Sequence, residues 1–391
     1  MIKFFCIILF LYIINVKGGV EKIYPKWNLP IKYFIDNECQ IYGHYLREAI
    51  ENIQKHTCIT FSESKTKLTR EKGINILLRR YTENFQVGPY EIGGYNLIGA
   101  NCRDDYYKTG VFQSVIHQAL GASPENNRCD RDEYITMKYD HIEERYKNKF
   151  DYDNYSCPIV SDVSYDYGSF THMNRWQYVQ KHGKDPAFYS KVFAHYYQHT
   201  MGQREYATFM DYKLLNVIHC SEKCKNFTNK CHHGGYLNPK NCNECLCPTG
   251  LQGEACEKAV DVYQSNTLFW RTYESVHLTA TDSMQVFKEY RERNRYIYIH
   301  ATYYVQKIWI RVKFSRSCDA HDPCLPGKGH EIKYRADKGP MGISMCGSHD
   351  SPFNVVSENN LIIIYFHGQC HKHGLEFEYR LLGNHDVKNE F

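Results

Sequence analysis

Two things are scarce in this 391-residue sequence: long apolar runs and an excess of charge of one sign. After Val16 no stretch is apolar for the ~20 residues that a bilayer span needs, which excludes a later membrane-crossing helix. Lysine and arginine number 48 against 44 aspartate and glutamate, and the formal charge of +4 is spread evenly. Such a balance excludes nucleic acid or an anionic membrane as a partner recognised by bulk charge. Cysteines are sparse between Lys26 and Cys220, in contrast to the segment that follows. The length exceeds one ordinary core, and two or three domains are expected.

What is present begins with an address. Met1-Ile2-Lys3, the apolar run Phe4 to Val16 and then Lys17-Gly18-Gly19 have the layout of a secretory signal, assigned to residues 1–18. The run is too short for a membrane anchor, and the chain is expected to be secreted and extracellular. Removing Cys6 leaves sixteen of the 17 cysteines, an even number in an oxidising route, which favours eight disulfides. Asn154-Tyr155-Ser156 and Asn226-Phe227-Thr228 are acceptable glycosylation sequons. The 34 tyrosines supply amphipathic rings from which no function is read.

Three textures follow along the chain. Residues 24–220 mix strand-like runs such as Ile31-Lys32-Tyr33-Phe34-Ile35 with helix-like ones such as His44 to Lys55, which is an α+β domain. Residues 221–257 hold Cys224, Cys231, Cys242, Cys245, Cys247 and Cys256, too short a segment to build its own core, so cross-links must hold it. With His232-His233-Gly234-Gly235-Tyr236 and Cys247-Pro248-Thr249-Gly250, the segment resembles an EGF-like module. A zinc knuckle is the rival for such a Cys and His density, and secretion disfavours it. Residues 258–384 alternate in short strands, as in Tyr296 to His300, Ile308 to Val312 and Leu361 to Phe366, which suggests a β-sandwich. Cys318…Cys324, Gly342-Ile343-Ser344-Met345-Cys346 and Gly374-Leu375-Glu376-Phe377 make it resemble a CUB domain. Many CUB domains carry a calcium-binding acid where this chain has His330, so calcium is not expected.

The stretch Ser114 to Ile135 gives the first domain its affinity. It ends Arg128-Cys129-Asp130-Arg131-Asp132-Glu133-Tyr134-Ile135, and without a gap it fits the pattern HExxHxxGxxHExxRxDRDxYI at Gly121, Glu125, Arg128, Asp130-Arg131-Asp132 and Tyr134-Ile135. Tyr165-Asp166-Tyr167-Gly168-Ser169-Phe170-Thr171-His172-Met173 is similar to the turn YDYxSxMHY, and Gly202-Gln203-Arg204…Asp211…Asn216…Cys220 to the closing segment. On these motifs nearly the whole chain resembles the astacin family of secreted zinc metalloendopeptidases with EGF-like and CUB modules. The resemblance implies a two-lobed zincin-like domain with a long active-site helix. It also implies the bridges Cys58–Cys220, Cys224–Cys242, Cys231–Cys245, Cys247–Cys256, Cys346–Cys370 and Cys318–Cys324. Cys39, Cys102, Cys129 and Cys157 remain, and could pair in three ways.

In active members two histidines four residues apart on one helix face, and a third after the glycine turn, bind zinc, and a glutamate beside the first activates water. Those four positions here are Ser114, Gln118, Pro124 and Val115. Proline has no ligand atom, serine and glutamine are poor neutral donors, and valine accepts no proton. The methionine of the turn is Thr171, and the tyrosine that stabilises the transition state is Met173. No catalytic residue and no metal ligand is therefore expected to be intact, and no cofactor is expected where the family uses zinc.

Other histidines offer little replacement. His117 lies about 300° around the helix from Ser114 and lacks a partner four residues away. His195 and His199 have that spacing but no following glutamate. His367, Cys370, His371 and His373 cluster in sequence, with Cys370 wanted for a bridge. Only Gly19 to Pro25 separate the signal from the domain start at Lys26-Trp27-Asn28-Leu29-Pro30, so no latency segment is expected. The reading is a catalytically inactive astacin homologue that binds extracellular protein or glycan through its cleft and its EGF and CUB modules. The alternative is an active zinc endopeptidase with a rearranged metal site.

Overall fold

The alternating residues of Ile31–Ile35 form β1, whose burial alternates along the strand with Ile31, Tyr33 and Ile35 inward. With β2 (Phe61–Glu63), β3 (Gly73–Leu78), β4 (Glu83–Asn84) and β5 (Tyr95–Ala100) it builds a sheet of order β2-β1-β3-β5-β4. All pairings are parallel except β4 with β5. This computed structural model describes residues 26–383 save 85, 91–93, 103–108, 154–156, 182, 265–271 and 369–372. The expected signal segment, Asn154, Cys370 and His371 lie outside the described residues.

Helix α1 (Gly43–His56) turns Leu46, Ala49, Ile50 and Ile53 inward at i, i+3, i+4 and i+7. They meet Phe112, Val115, Ile116 and Ala119 of α2 (Thr109–Ala119) in one upper core under the sheet. Helix α2 ends where Gly121 takes φ +111°, a left-handed conformation open to glycine. The N–H groups of Gly121 and Ala122 bond back to the carbonyls of Gln118 and His117. The carbonyls of Ala119 and Leu120 accept from Trp27 Nε1 and His219 Nε2, at 3.0 and 2.6 Å. Side chains thus satisfy the end of a buried helix.

The lower half has little regular structure: the antiparallel pair β6 (Ile135–Met137) and β7 (Phe188–Ser190), the single-turn α3 (Ala194–Tyr197) and α4 (Phe209–Cys220). Thr208 and Asp211 cap α4 reciprocally. Cys58–Cys220 ties its end back under the upper sheet, and Cys39–Cys102 and Cys129–Cys157 are the other bridges of this part.

Cys224–Cys242, Cys231–Cys245 and Cys247–Cys256 cross-link the next segment. It carries two small antiparallel pairs, β8 (Tyr236–Asn238) with β9 (Asn241–Leu246) and β10 (Leu251–Gln252) with β11 (Lys258–Ala259). Leu251, Cys256 and Val260 pack on Tyr273, Tyr296, Tyr298 and Tyr365, so the segment leans on the sandwich that follows.

That sandwich comprises β12 (Val262–Gln264), β13 (Thr272–Thr279), β14 (Gln285–Glu289), β15 (Asn294–His300), β16 (Ile308–Arg316), β17 (His330–Lys333), β18 (Ile343–Met345), β19 (Ser348–His349), β20 (Phe353–Val356), β21 (Leu361–Phe366) and β22 (Gly374–Leu381). One sheet runs β12-β13-β15-β21-β17-β18; the other runs β14-β22-β16-β19, with β20 also on β16. The two inner faces meet through Ile297, Ile299, Ile310, Val312, Ile364 and Phe377.

The sandwich bridge differs from expectation: Cys324 pairs with Cys346, not with Cys318, and Cys346 therefore cannot pair with Cys370. Cys318 is also disulfide-bonded. The reason is geometric. Cys324 follows the loop below β16, and Cys346 closes β18, which brings their Cα atoms to 5.7 Å. His330 is a core residue, its ring against Phe366, with Nε2 donating to Arg316 O and Nδ1 accepting from His367 N. Both nitrogens are committed.

The lower half and the sandwich share one apolar cluster, from Met173, Tyr196 and Tyr197 through to Ile310 and Phe377. Phe193 packs on Tyr334 and Tyr196 on Phe353, with ring centroids 5.4 and 4.5 Å apart. No helix among the described residues is long and apolar enough to cross a membrane.

Candidate functional site

The four positions aligned with the zinc-binding pattern lie on α2 and the turn after it. Ser114 is 2% exposed, and its hydroxyl donates to the carbonyl of Val111 at 2.9 Å. Gln118 and Pro124 are half-buried, and Pro124 precedes the short 3-10 turn Glu125–Asn127. Val115, 6% exposed, is a member of the upper apolar core. Across the cleft Met173, 8% exposed, belongs to the lower core. The donor set does not fit a zinc ion: one hydroxyl is turned back onto the helix, one amide is a weak ligand and one position has none.

The surrounding scaffold is intact and densely bonded. Buried Glu125 accepts the N–H of Asp166 at 2.8 Å and faces Arg128 Nη1 at 3.1 Å. Arg128 also grips both oxygens of Asp130, at 2.9 and 2.8 Å. Arg131 is 1% exposed and donates to the carbonyls of Asn126 and Phe150 and to the Tyr139 hydroxyl. These charges hold the turn that follows α2.

The turn at residues 165–173 is likewise pinned. Asp211 accepts from Ser169 Oγ at 2.5 Å and from Phe170 N at 3.3 Å while it caps α4. Thr171, which stands where the family pattern has a methionine, bonds to Ser169 Oγ at 2.9 Å. His172 donates from Nδ1 to Met173 O at 3.0 Å and accepts at Nε2 from the Tyr165 hydroxyl at 2.8 Å. It has no free nitrogen for a metal.

Burial sets the charge states. Loss of solvation lifts the carboxyls of Glu125 and Asp211 to about 7 and lowers the imidazoles of His117 and His172 to about 3. A cavity of about 10 Å³ lies beside Glu125 and Arg128, lined also by Ser123, Ile159, Val160, Val163 and Leu214. It holds no more than one water.

His117 is buried in the core, edge-on to Phe170 at 4.8 Å and to Tyr212 at 5.7 Å. A further relation has no signal in the sequence: Met341 and Arg335 of the sandwich reach this turn. Met341 N bonds to Asp166 and Arg335 Nη1 bonds to Tyr165 O, at 3.0 and 2.7 Å. Contacts between residues this far apart in sequence leave no periodic trace.

The family model for astacin, a peptidase family, matches residues 19–220. Over 376 residues the chain is 26% identical to zinc metalloproteinase nas-34 of Caenorhabditis elegans, in a match that covers 92% of this chain and 56% of that protein. Zinc metalloproteinase dpy-31 of the same organism is 25% identical over 91% of this chain and 59% of its own length. The chain thus spans a little over half the length of these curated relatives. A hatching enzyme zinc-protease of the medaka Oryzias latipes, high choriolytic enzyme 1, overlaps 50% of this chain and 92% of its own, with 22% identity and a TM-score of 0.42.

Proposed function

The chain belongs to the astacin family of peptidases, and from that premise we propose that it is a secreted member without peptidase activity whose protease-like domain serves as an extracellular binding or decoy surface. The observation that carries this is the fate of two positions. The residue at the general-base position, Val115, has joined the upper core, and the residue at the tyrosine position, Met173, has joined the lower one. A hydrolytic site needs both in the cleft, one as proton acceptor and one as hydrogen-bond donor. The three ligand positions agree, because Ser114, Gln118 and Pro124 supply no imidazole.

The cross-linked segment at 221–257 and the sandwich at 258–384 are assigned as EGF-like and CUB-like modules, with extracellular protein or glycan as their partner class. The dense disulfide cross-linking, the signal-like layout of residues 1–18 and the sequon at exposed Asn226 support secretion. Competition tests the decoy role. Added to an active astacin peptidase and its protein substrate, the chain slows cleavage, and excess substrate restores the rate. Cleavage unaffected by a large molar excess of the chain contradicts the proposal.

A further inference from the structure

The pair His195 and His199 lacks a metal-binding partner in sequence but has one in space. The His195 ring centroid lies 6.0 Å from that of His199 and 5.6 Å from that of His349 on β19. With His321 and Asp322, these three rings line a cavity of about 280 Å³ between the α3 turn and the sandwich. Four of the chain's 20 histidines therefore border one cavity. Two imidazoles bound to one tetrahedral ion at ~2.0–2.1 Å have centroids roughly 5 Å apart. The His195 ring stands within about 1 Å of that spacing from each of the other two.

Two of the rings already have a partner on one nitrogen. His199 Nδ1 faces Asp322 Oδ2 at 3.2 Å, which leaves Nε2 free to ligate. His349 donates from Nε2 to Cys346 O at 2.8 Å, which leaves the lone pair on Nδ1. A carboxylate or carbonyl on the far nitrogen is the arrangement that fixes the tautomer of liganding imidazoles and raises their basicity. Cys324 and Cys346 beside the cavity are joined as a disulfide, so no thiolate competes. Among the described residues no three donors yet converge on one point. The required motion is side-chain rotation of exposed His195 and of His199, which is 42% exposed.

We propose that His195, His199 and His349 bind one divalent transition-metal ion of the class that imidazole prefers, Zn²⁺, Cu²⁺ or Ni²⁺, and that the ion clasps the astacin-like domain to the sandwich with Asp322 orienting His199. This site is independent of the cleft and of whether the cleft is catalytic. Zn²⁺ is the probe, titrated calorimetrically into the full chain after chelator stripping at pH 7.5. One site per chain is expected, and Zn²⁺ raises the melting temperature. His195→Gln and His349→Gln each weaken binding by at least about tenfold and together remove it, while Asp322→Asn weakens it by ~10–100-fold. The exposed His195→Gln variant melts as the wild type does without metal, which separates ligand loss from misfolding. Failure of the wild type to bind Zn²⁺, or binding undiminished in the double variant, overturns the proposal.

Discussion

Asp166 and Met341, 175 residues apart in sequence, are joined by a 3.0 Å hydrogen bond from the Met341 backbone N–H to Asp166 Oδ1. The same oxygen accepts Gly168 N at 2.9 Å, so one carboxylate holds both the turn beneath the cleft and the loop of the sandwich seated on it. Gly168 leaves room for that seat, since a Cβ there would stand 2.3 Å from Met341 Sδ.

Asp166→Ala leaves two buried N–H groups without an acceptor, and a cost of roughly 2–4 kcal/mol is expected, with Asp166→Asn milder because its amide oxygen still accepts. Urea unfolding of the two variants measures the difference. Equal losses would show that the shared oxygen is not what joins the two parts.

Buried histidines make the fold acid-sensitive. The imidazole of His117 is held near 3 by burial, against about 6.5 in the unfolded chain. Between those values the unfolded chain binds the extra proton, so this stability is complete above about pH 6.5 and is lost as pH falls. Glu125 and Asp211 act in the opposite sense: burial raises each to about 7, so their contribution is complete below about pH 4 and declines as pH rises to 7. His117→Met fills a similar volume without a titrating group. Relative to wild type, it should gain on the order of 2 kcal/mol at pH 5 compared with its effect at pH 7.5. Identical effects at both values would remove His117 as a source of acid sensitivity.

Peptide mapping without reduction is expected to recover Cys324 joined to Cys346. Replacing both Cys58 and Cys220 with alanine should cost about 5 kcal/mol in the loop-entropy account, because the bridge spans 162 residues. A loss under about 1 kcal/mol would mean that the α4 end is held by packing alone.

Much of this was legible where the signal is local. The order Arg128, Asp130, Arg131 set the register of the degenerate helix. The crossed pairing in the tightly spaced cysteine segment was legible from its module resemblance. The rest depends on distant partners. Cys318 and Cys324 are close in sequence, yet Cys324 pairs with Cys346, because strand order rather than spacing decides which cysteines meet. The convergence of His349 on His195, and of Met341 on Asp166, follows from how the sandwich docks, which no window of the sequence encodes.

Loss of peptidase chemistry is tested by cleavage of a denatured protein by the wild-type chain with zinc supplied, with and without a zinc chelator. Beside it stands the variant Ser114→His, Val115→Glu, Gln118→His, Pro124→His and Met173→Tyr combined. Histidines alone would not suffice, since a missing general base costs about 10²–10⁴-fold in rate. The wild type should be inert, and the fivefold variant should show weak, chelator-sensitive cleavage. Chelator-sensitive cleavage by the wild type would show that its peptidase chemistry is not lost.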